Sequence, residues 1–215
     1  MMIKICGITR REDALEAVEA GASAIGFIFY PKSPRYVMPE KARELGSGVT
    51  ALKVGVFVDE SPAAIENVMR VAKLNVVQIY GGSASAGARV WRAFRMPVES
   101  CDIVESVMEL EEAGVFSSAD AVLLDGPGNG ASFDWEFARG LRDALNDEPG
   151  ASARVIIAGG LDASNVAEAI REAEPWGVDA SSRLESSPGI KDHQKMRQFI
   201  KAAREAALDT AGETS

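Results

Sequence analysis

The chain has 215 residues, 47% of them hydrophobic and 26% charged, with a formal net charge of −9 at pH 7. That is enough apolar material for the core of one large domain or a small α/β barrel. The negative charge argues against binding nucleic acid, whose phosphates it would repel, but not against a small anion held by local donors.

Short apolar, β-branched runs alternate with helical periodicity from the first residues. A strand is expected over 3–6, followed by a helix over 10–20 that Thr9 caps with Glu12 in a capping box and Gly21 closes. A second strand over 24–29 leads into a long loop, "FIFYPKSPRYV", and Pro39 starts a short helix over 40–45. A strand over 52–58 is followed by Ser61 and Pro62, which open a helix reaching Lys73. The next strand, 76–79, precedes a Gly/Ala/Ser-rich stretch over 83–89 in which any helix is short or absent. Strands over 90–94 and 121–124 flank an acidic helix over 103–113. A helix over 135–144 follows Asp134, with Phe133 and Trp135 expected to pack. Strand 154–158, helix 164–173, strand 178–180 and helix 192–207 complete the series. The polar tail, 209–215, is expected to fray.

Eight β-then-α units without a break in composition define one domain over residues 1–208. Continuous apolar strands are those of a parallel sheet covered by helices. No G-x-G-x-x-G follows the first strand, and polar residues gather just after strand ends: Cys6, Asp125, Gly159-Gly160, Ser181-Ser182. Both features favour a closed (β/α)₈ TIM barrel, an α/β fold whose sites lie at the C-terminal ends of the strands. Nothing marks a secreted or membrane-bound chain. The start, "MMIKICG", has no signal-peptide pattern, and no apolar run nears the ~20 residues of a membrane helix. A cytoplasmic location is expected.

With Cys6 and Cys101 the only cysteines and His193 the only histidine, there is no disulfide framework and no metal-ligand spacing. His193 reads as a solvated residue in the first turn of the last helix, so acid and base are carboxylates or a thiol. Period-two alternation places Lys4 and Cys6 on one side of the first strand. If that side faces the barrel interior, Lys4 needs a buried partner, and closure brings strand eight alongside with Asp179. A cation there favours the thiolate and draws the thiol pKa down. Asp125 ends strand six, where partial desolvation raises a carboxyl pKa and lets it serve as an acid. Cys6 and Asp125 thus suit a proton-shuffling isomerisation. The loops after strands seven and eight, with Gly159, Gly160, Ser181, Ser182 and Arg183, are donor-rich in the manner of phosphate sites. Lys32 and Arg35 follow strand two, and Arg35 can hold a carboxylate by its fork.

These residues together resemble the phosphoribosylanthranilate isomerase family. The runs are "KICGIT", "GFIFYPKSPRYV", "VGVFV", "VVQIYG", "LLDG…FDW", "AGGL…NV" and "GVDASS…E…PGIKD", in order along nearly the whole chain. The resemblance implies a cofactor-free, metal-free barrel of tryptophan biosynthesis acting on a small phosphorylated substrate, as monomer or homodimer. The reaction is the Amadori rearrangement of N-(5-phosphoribosyl)anthranilate to 1-(2-carboxyphenylamino)-1-deoxyribulose 5-phosphate. On it, Asp125 is the general acid, Cys6 the general base, Arg35 the holder of the substrate carboxylate, and the glycine and serine loops the phosphate site. Lys4, Gln78 and Asp179 support them. The family often has a histidine where this chain has Tyr80, which is expected to change orientation rather than chemistry. A glycine is common where this chain has Arg183, whose guanidinium is expected to bind phosphate. "GPGNGAS" replaces the usual Gly-Thr-Gly after strand six. Two other readings stay open. One is another phosphosugar barrel such as indole-glycerol-phosphate synthase, although that family lacks "KICGIT". The other is an inactive phosphate-ligand barrel.

Overall fold

The computed structural model describes residues 1–84, 87–96, 119–126, 134–147 and 154–213, with side chains to 210. Eight parallel strands close a barrel in chain order, each paired with the next and β1 with β8. They are β1 (Met2–Ile5), β2 (Ala24–Ile28), β3 (Leu52–Val58), β4 (Val76–Tyr80), β5 (Val90–Arg95), β6 (Ala121–Asp125), β7 (Val155–Ala158) and β8 (Gly177–Ala180). The helices among the described residues are α1 (Arg11–Ala20), α2 (Pro39–Leu45), α3 (Pro62–Ala72), α4 (Trp135–Asp147), α5 (Val166–Ala173) and α6 (His193–Glu213). The expected helix over 103–113, Cys101, Phe133 and most of the loop after β6 lie outside the described residues.

Strand alternation divides the apolar residues into two cores. Met2, Ala24, Val54, Val76, Trp91, Leu123 and Ile156 fill the barrel interior. Their strand neighbours, including Ile3, Ile5, Ile25, Val77, Val122, Leu124 and Ile157, pack outward against the helices. Each fully buried side chain of this size contributes about 1.5–3 kcal/mol. Met2 faces the interior, so period two carries Lys4 and Cys6 inward with it.

Several local expectations hold in detail. Gly21 ends α1 in the left-handed region, its N–H bonded to Ala17 and Val18 carbonyls. Ser61 Oγ accepts from the Ala64 N–H at 3.3 Å, and Pro62 opens α3. Others need correction. Thr9 does not cap α1: Arg10 is the N-cap residue, without a side-chain bond to the helix. Thr9 Oγ1 instead donates to the Gly189 carbonyl, in a segment the sequence reading left unstructured. That segment holds a single 3₁₀ turn (Ser182–Leu184) and a small antiparallel hairpin of β9 (Glu185–Ser187) and β10 (Ile190–Lys191). The last helix runs to Glu213, beyond the expected end at 207. His193 is half-buried rather than solvated, its Nε2 2.9 Å from Asp13 Oδ1. Asp13 is fully buried and also accepts from Arg10 and from the Lys191 N–H. The hairpin is thereby stapled to the start of α1.

Candidate active site

A cavity of ≈ 630 Å³ opens at the C-terminal ends of the strands. Cys6 after β1 and Asp125 at the end of β6 both line it. So do Gly159, Gly160, Ser181, Ser182 and Arg183 from the loops after β7 and β8, and Arg35, Gln78 and Asp179. Lys4 lies one inward step below Cys6 and is wholly buried. The residues expected to form the site, Lys32 excepted, therefore sit in or directly beneath one cavity.

The Lys4–Asp179 pair forms as barrel closure requires. The two residues are register partners across β1 and β8, with Nζ 2.6 Å from Oδ2. Burial works against the Lys4 ammonium, but Asp179 and Cys6 outweigh it and raise the Lys4 pKa. Space for this cluster comes from Gly26 on β2: a Cβ there would stand 2.8 Å from Cys6 Sγ and 3.1 Å from Lys4 Cε.

The thiol itself differs from expectation. Burial pushes the Cys6 pKa up, and Lys4 pulls it down without cancelling that rise. The cation is where the sequence placed it, but the dryness of the mouth outweighs it. Asp125 behaves as expected, its pKa raised by burial against opposing contributions from Tyr80, Arg95 and Lys4. Tyr80 is the partner the sequence reading missed. Its Oη donates to Asp125 Oδ2 at 2.9 Å, and Gln78 Nε2 lies 3.5 Å from the same phenol oxygen. Burial and Asp125 raise the Tyr80 pKa far above the phenol range, so it stays a donor. Gln78 Oε1 and Asp179 Oδ1 are buried without hydrogen-bond donors among the described residues.

Arg35 and Arg183 are both more engaged than expected. Arg35 Nε and Nη2 donate bidentately to Glu185, each at 2.7 Å. Glu185 Oε1 also accepts from the buried Lys191 Nζ at 3.0 Å, and Lys191 donates to the Ser181 carbonyl at 3.0 Å. Ser181 Oγ in turn donates to the Cys6 carbonyl at 3.1 Å. Glu185 and Lys191 both lie within "ESSPGIK", so the glutamate and lysine of that run were its signal. Arg183 Nε donates to the Gly160 carbonyl at 3.3 Å and stands 3.5 Å from Asp162 Oδ2, joining the two candidate phosphate loops. Gly159 has φ +92°, and a Cβ there would meet Gly126 N at 2.4 Å, so the loops after β6 and β7 touch only because it is glycine.

A closed parallel barrel with a thiol, a raised carboxyl and donor-rich loops at its C-terminal mouth has the build of a (β/α)₈-barrel enzyme of acid–base chemistry. Comparison with known proteins narrows the class. A family model described as N-(5'-phosphoribosyl)anthranilate (PRA) isomerase matches residues 3–202. The N-(5'-phosphoribosyl)anthranilate isomerase of Solibacter usitatus is 46% identical, over 96% of this chain and 98% of that one. A crystal structure of mutually generated monomers of the dimeric enzyme from Thermotoga maritima is similar with a TM-score of 0.81 and 35% identity, covering 95% and 99% of the two chains. A crystal structure of phosphoribosyl anthranilate isomerase in complex with reduced 1-(o-carboxyphenylamino)-1-deoxyribulose 5-phosphate matches at TM-score 0.80 and 36% identity, again over 95% and 99%. This chain belongs to the N-(5'-phosphoribosyl)anthranilate isomerase family.

Proposed function

We propose that the chain carries out its family's reaction, the isomerisation of N-(5'-phosphoribosyl)anthranilate in tryptophan biosynthesis, with Asp125 as general acid and Cys6 as general base. The observation that carries this reading is the convergence of Cys6, Asp125 and the two glycine/serine loops on one cavity. Asp125 gives its proton to the ribose ring oxygen, and the ring opens to a Schiff base. The cationic iminium acidifies the neighbouring C2' hydrogen, which the Cys6 thiolate removes, and the enolamine relaxes to the ketone. A dry mouth favours the neutral carboxyl the first step needs. Lys4 favours the thiolate the second step needs.

The substrate's phosphate is held by N–H groups at Gly159 and Gly160 and donors at Ser181 and Ser182, with Arg183 at the rim. Its carboxylate meets Arg35. Gln78 and Asp179 support the sugar end, where their free oxygens can accept hydroxyl protons. Among the described residues no helix is long and apolar enough to cross a membrane. The enzyme works in the cytoplasm as a monomer or homodimer.

The test is loss of anthranilate-ribose phosphate fluorescence in the wild type and in Cys6→Ala and Asp125→Asn, with complementation of a tryptophan auxotroph lacking this step. Each variant is expected to fold and to lose most turnover. Full activity in Cys6→Ala would remove the base assignment.

A further inference from the structure

An arginine already locked to a glutamate is a poor anion receptor. The Arg35–Glu185 pair is bidentate and, taken alone, neutral. A second carboxylate approaching it meets an attraction that Glu185 largely offsets. The structure does not leave the pair alone. Lys191 Nζ lies 3.0 Å from Glu185 Oε1, the oxygen that also receives Arg35 Nε. Two cations therefore share one carboxylate. Neither Lys191 nor Arg35 pairs with a second carboxylate among the described residues. Cys6 bears on both, but as a thiol whose pKa burial pushes up it carries no charge to match them before substrate arrives.

The surroundings do not cancel the excess. Asp13, which accepts the Lys191 backbone N–H, is matched by Arg10 and hydrogen-bonded to His193. Asp179 is matched by Lys4, and Asp162 by Arg183. Lys195 adds a further donor on the Glu185 carbonyl from an exposed position. Arg35 Nη1 keeps its N–H groups without an acceptor among the described residues, on a side chain that lines the cavity. Lys191 is 2% exposed and does not line the cavity.

We propose that Lys191 is a positioning and charge-setting residue: by neutralising Glu185 from behind, it leaves the Arg35 charge free for the carboxylate of the substrate. The inference rests on the reading of Arg35 as the carboxylate holder and explains how that arginine works while paired. Lys191 thus sets specificity for substrates that carry a carboxylate on the aromatic amine, without touching them.

The experiment compares N-(5-phosphoribosyl)anthranilate with N-(5-phosphoribosyl)aniline, which lacks the carboxylate. Lys191→Met fits the buried site and leaves Glu185 satisfied by Arg35. It is expected to raise KM for the carboxylated substrate about three- to thirtyfold, the electrostatic effect of one buried charge a few residues away, and to leave KM for the aniline compound unchanged. Effects through Ser181 or the thiol fall on both substrates and drop out of the ratio of kcat/KM for the anthranilate compound to kcat/KM for the aniline compound, which Lys191→Met lowers. Lys191→Gln, which keeps hydrogen bonds but not the charge, should lower the ratio to the same extent. A ratio preserved in Lys191→Gln would overturn the proposal, since hydrogen bonding and not charge would then be at work. Arg35→Gln separates this proposal from the reading beneath it. If Arg35→Gln keeps the preference for the carboxylate, Arg35 is not its holder and both fail. If Arg35→Gln abolishes the preference and Lys191→Met keeps it, only the role of Lys191 fails.

Discussion

Replacing Lys4 by methionine separates what the buried pair does for the fold from what it does for the thiol. The Lys4 side chain is 0% exposed and that of Asp179 7%. Methionine keeps the length and apolar bulk of the stem, so the change is almost purely one of charge. It leaves Asp179 buried, with Oδ2 stripped of its 2.6 Å partner and Oδ1 already without one. Breaking a buried pair from one side costs about 3–5 kcal/mol. At about 2–4 °C per kcal/mol for a chain of this size, Tm should fall by roughly 6–20 °C. Adding Asp179→Asn removes the stranded charge and should restore most of the loss, because a neutral buried pair avoids the desolvation penalty. The thiol follows a different order. Lys4 lowers the Cys6 pKa and Asp179 raises it, with Lys4 the stronger. The thiolate midpoint should therefore be lowest in the wild type, higher in the double variant and highest in Lys4→Met. Circular dichroism on heating reads the first quantity. Ultraviolet thiolate absorbance, referenced to Cys6→Ala, reads the second. A thiol midpoint unmoved in Lys4→Met, or a Tm within 2 °C of wild type (about 1 kcal/mol or less), would refute the account of this pair.

Three further outcomes are expected. Tyr80→Phe removes a donor that stabilises the Asp125 carboxylate, so the Asp125 titration, followed by the infrared carbonyl band absent in Asp125→Asn, should move to higher pH. Gly26→Ala brings a methyl to within 2.8 Å of Cys6 Sγ, and should lower kcat far more than it raises KM, at an overpacking cost of about 1–3 kcal/mol in chemical denaturation. Burial opposes the Asp13 carboxylate, but bonds from Arg10, His193 and the Lys191 N–H hold its pKa below the ordinary 3.8. Its stabilisation is therefore complete above 3.8 and lost as pH falls through the lower folded value, so the stability gap between wild type and Asp13→Asn should close on acidification.

Much of the site was legible because barrel geometry is periodic. Alternation puts Lys4 and Cys6 on one side of the first strand, and closure puts strand eight beside strand one, so that an inward-facing Lys4 has Asp179 as its partner. Asp125, Gly159 and Ser181 announced themselves as polar residues interrupting apolar runs at strand ends. What stayed hidden lacks that periodicity. The β9–β10 hairpin spans three and two residues around Ser-Pro-Gly, too short for an alternating pattern. Its contacts, Thr9 with Gly189 and Arg35 with Glu185, join positions 180 and 150 apart along the chain. Thr9 looked like a cap because its local sequence suits one, and a tertiary acceptor drew it away. The reversal at Cys6 has a different origin. Sequence reveals a neighbouring cation, but the sign of a pKa shift depends on how much water the fold removes, and that is a sum over every surrounding element.

The proposed mechanism asks one cavity to hold Asp125 as an acid and Cys6 as a base, in opposite protonation states. Drying the mouth raises both Asp125 and Cys6. For the carboxyl this is useful, since the proton is retained for delivery. For the thiol it is a hindrance, since the base must be ionised. The two groups therefore need unequal electrostatic surroundings within the same dry space. Cys6 has Lys4 below it as its largest favourable influence, a full charge at the next inward position of its own strand. Asp125 has a neutral phenol as its largest favourable influence, with Arg95 and Lys4 acting less. A full charge on the thiol side and a dipole on the carboxyl side shift the balance in the direction the chemistry requires. In the proposed mechanism, the iminium formed when the sugar ring opens is a second cation near the mouth, and it acts on the thiol in the same sense as Lys4. On that reading Cys6 is favoured as a base most strongly in the intermediate whose carbon it must deprotonate.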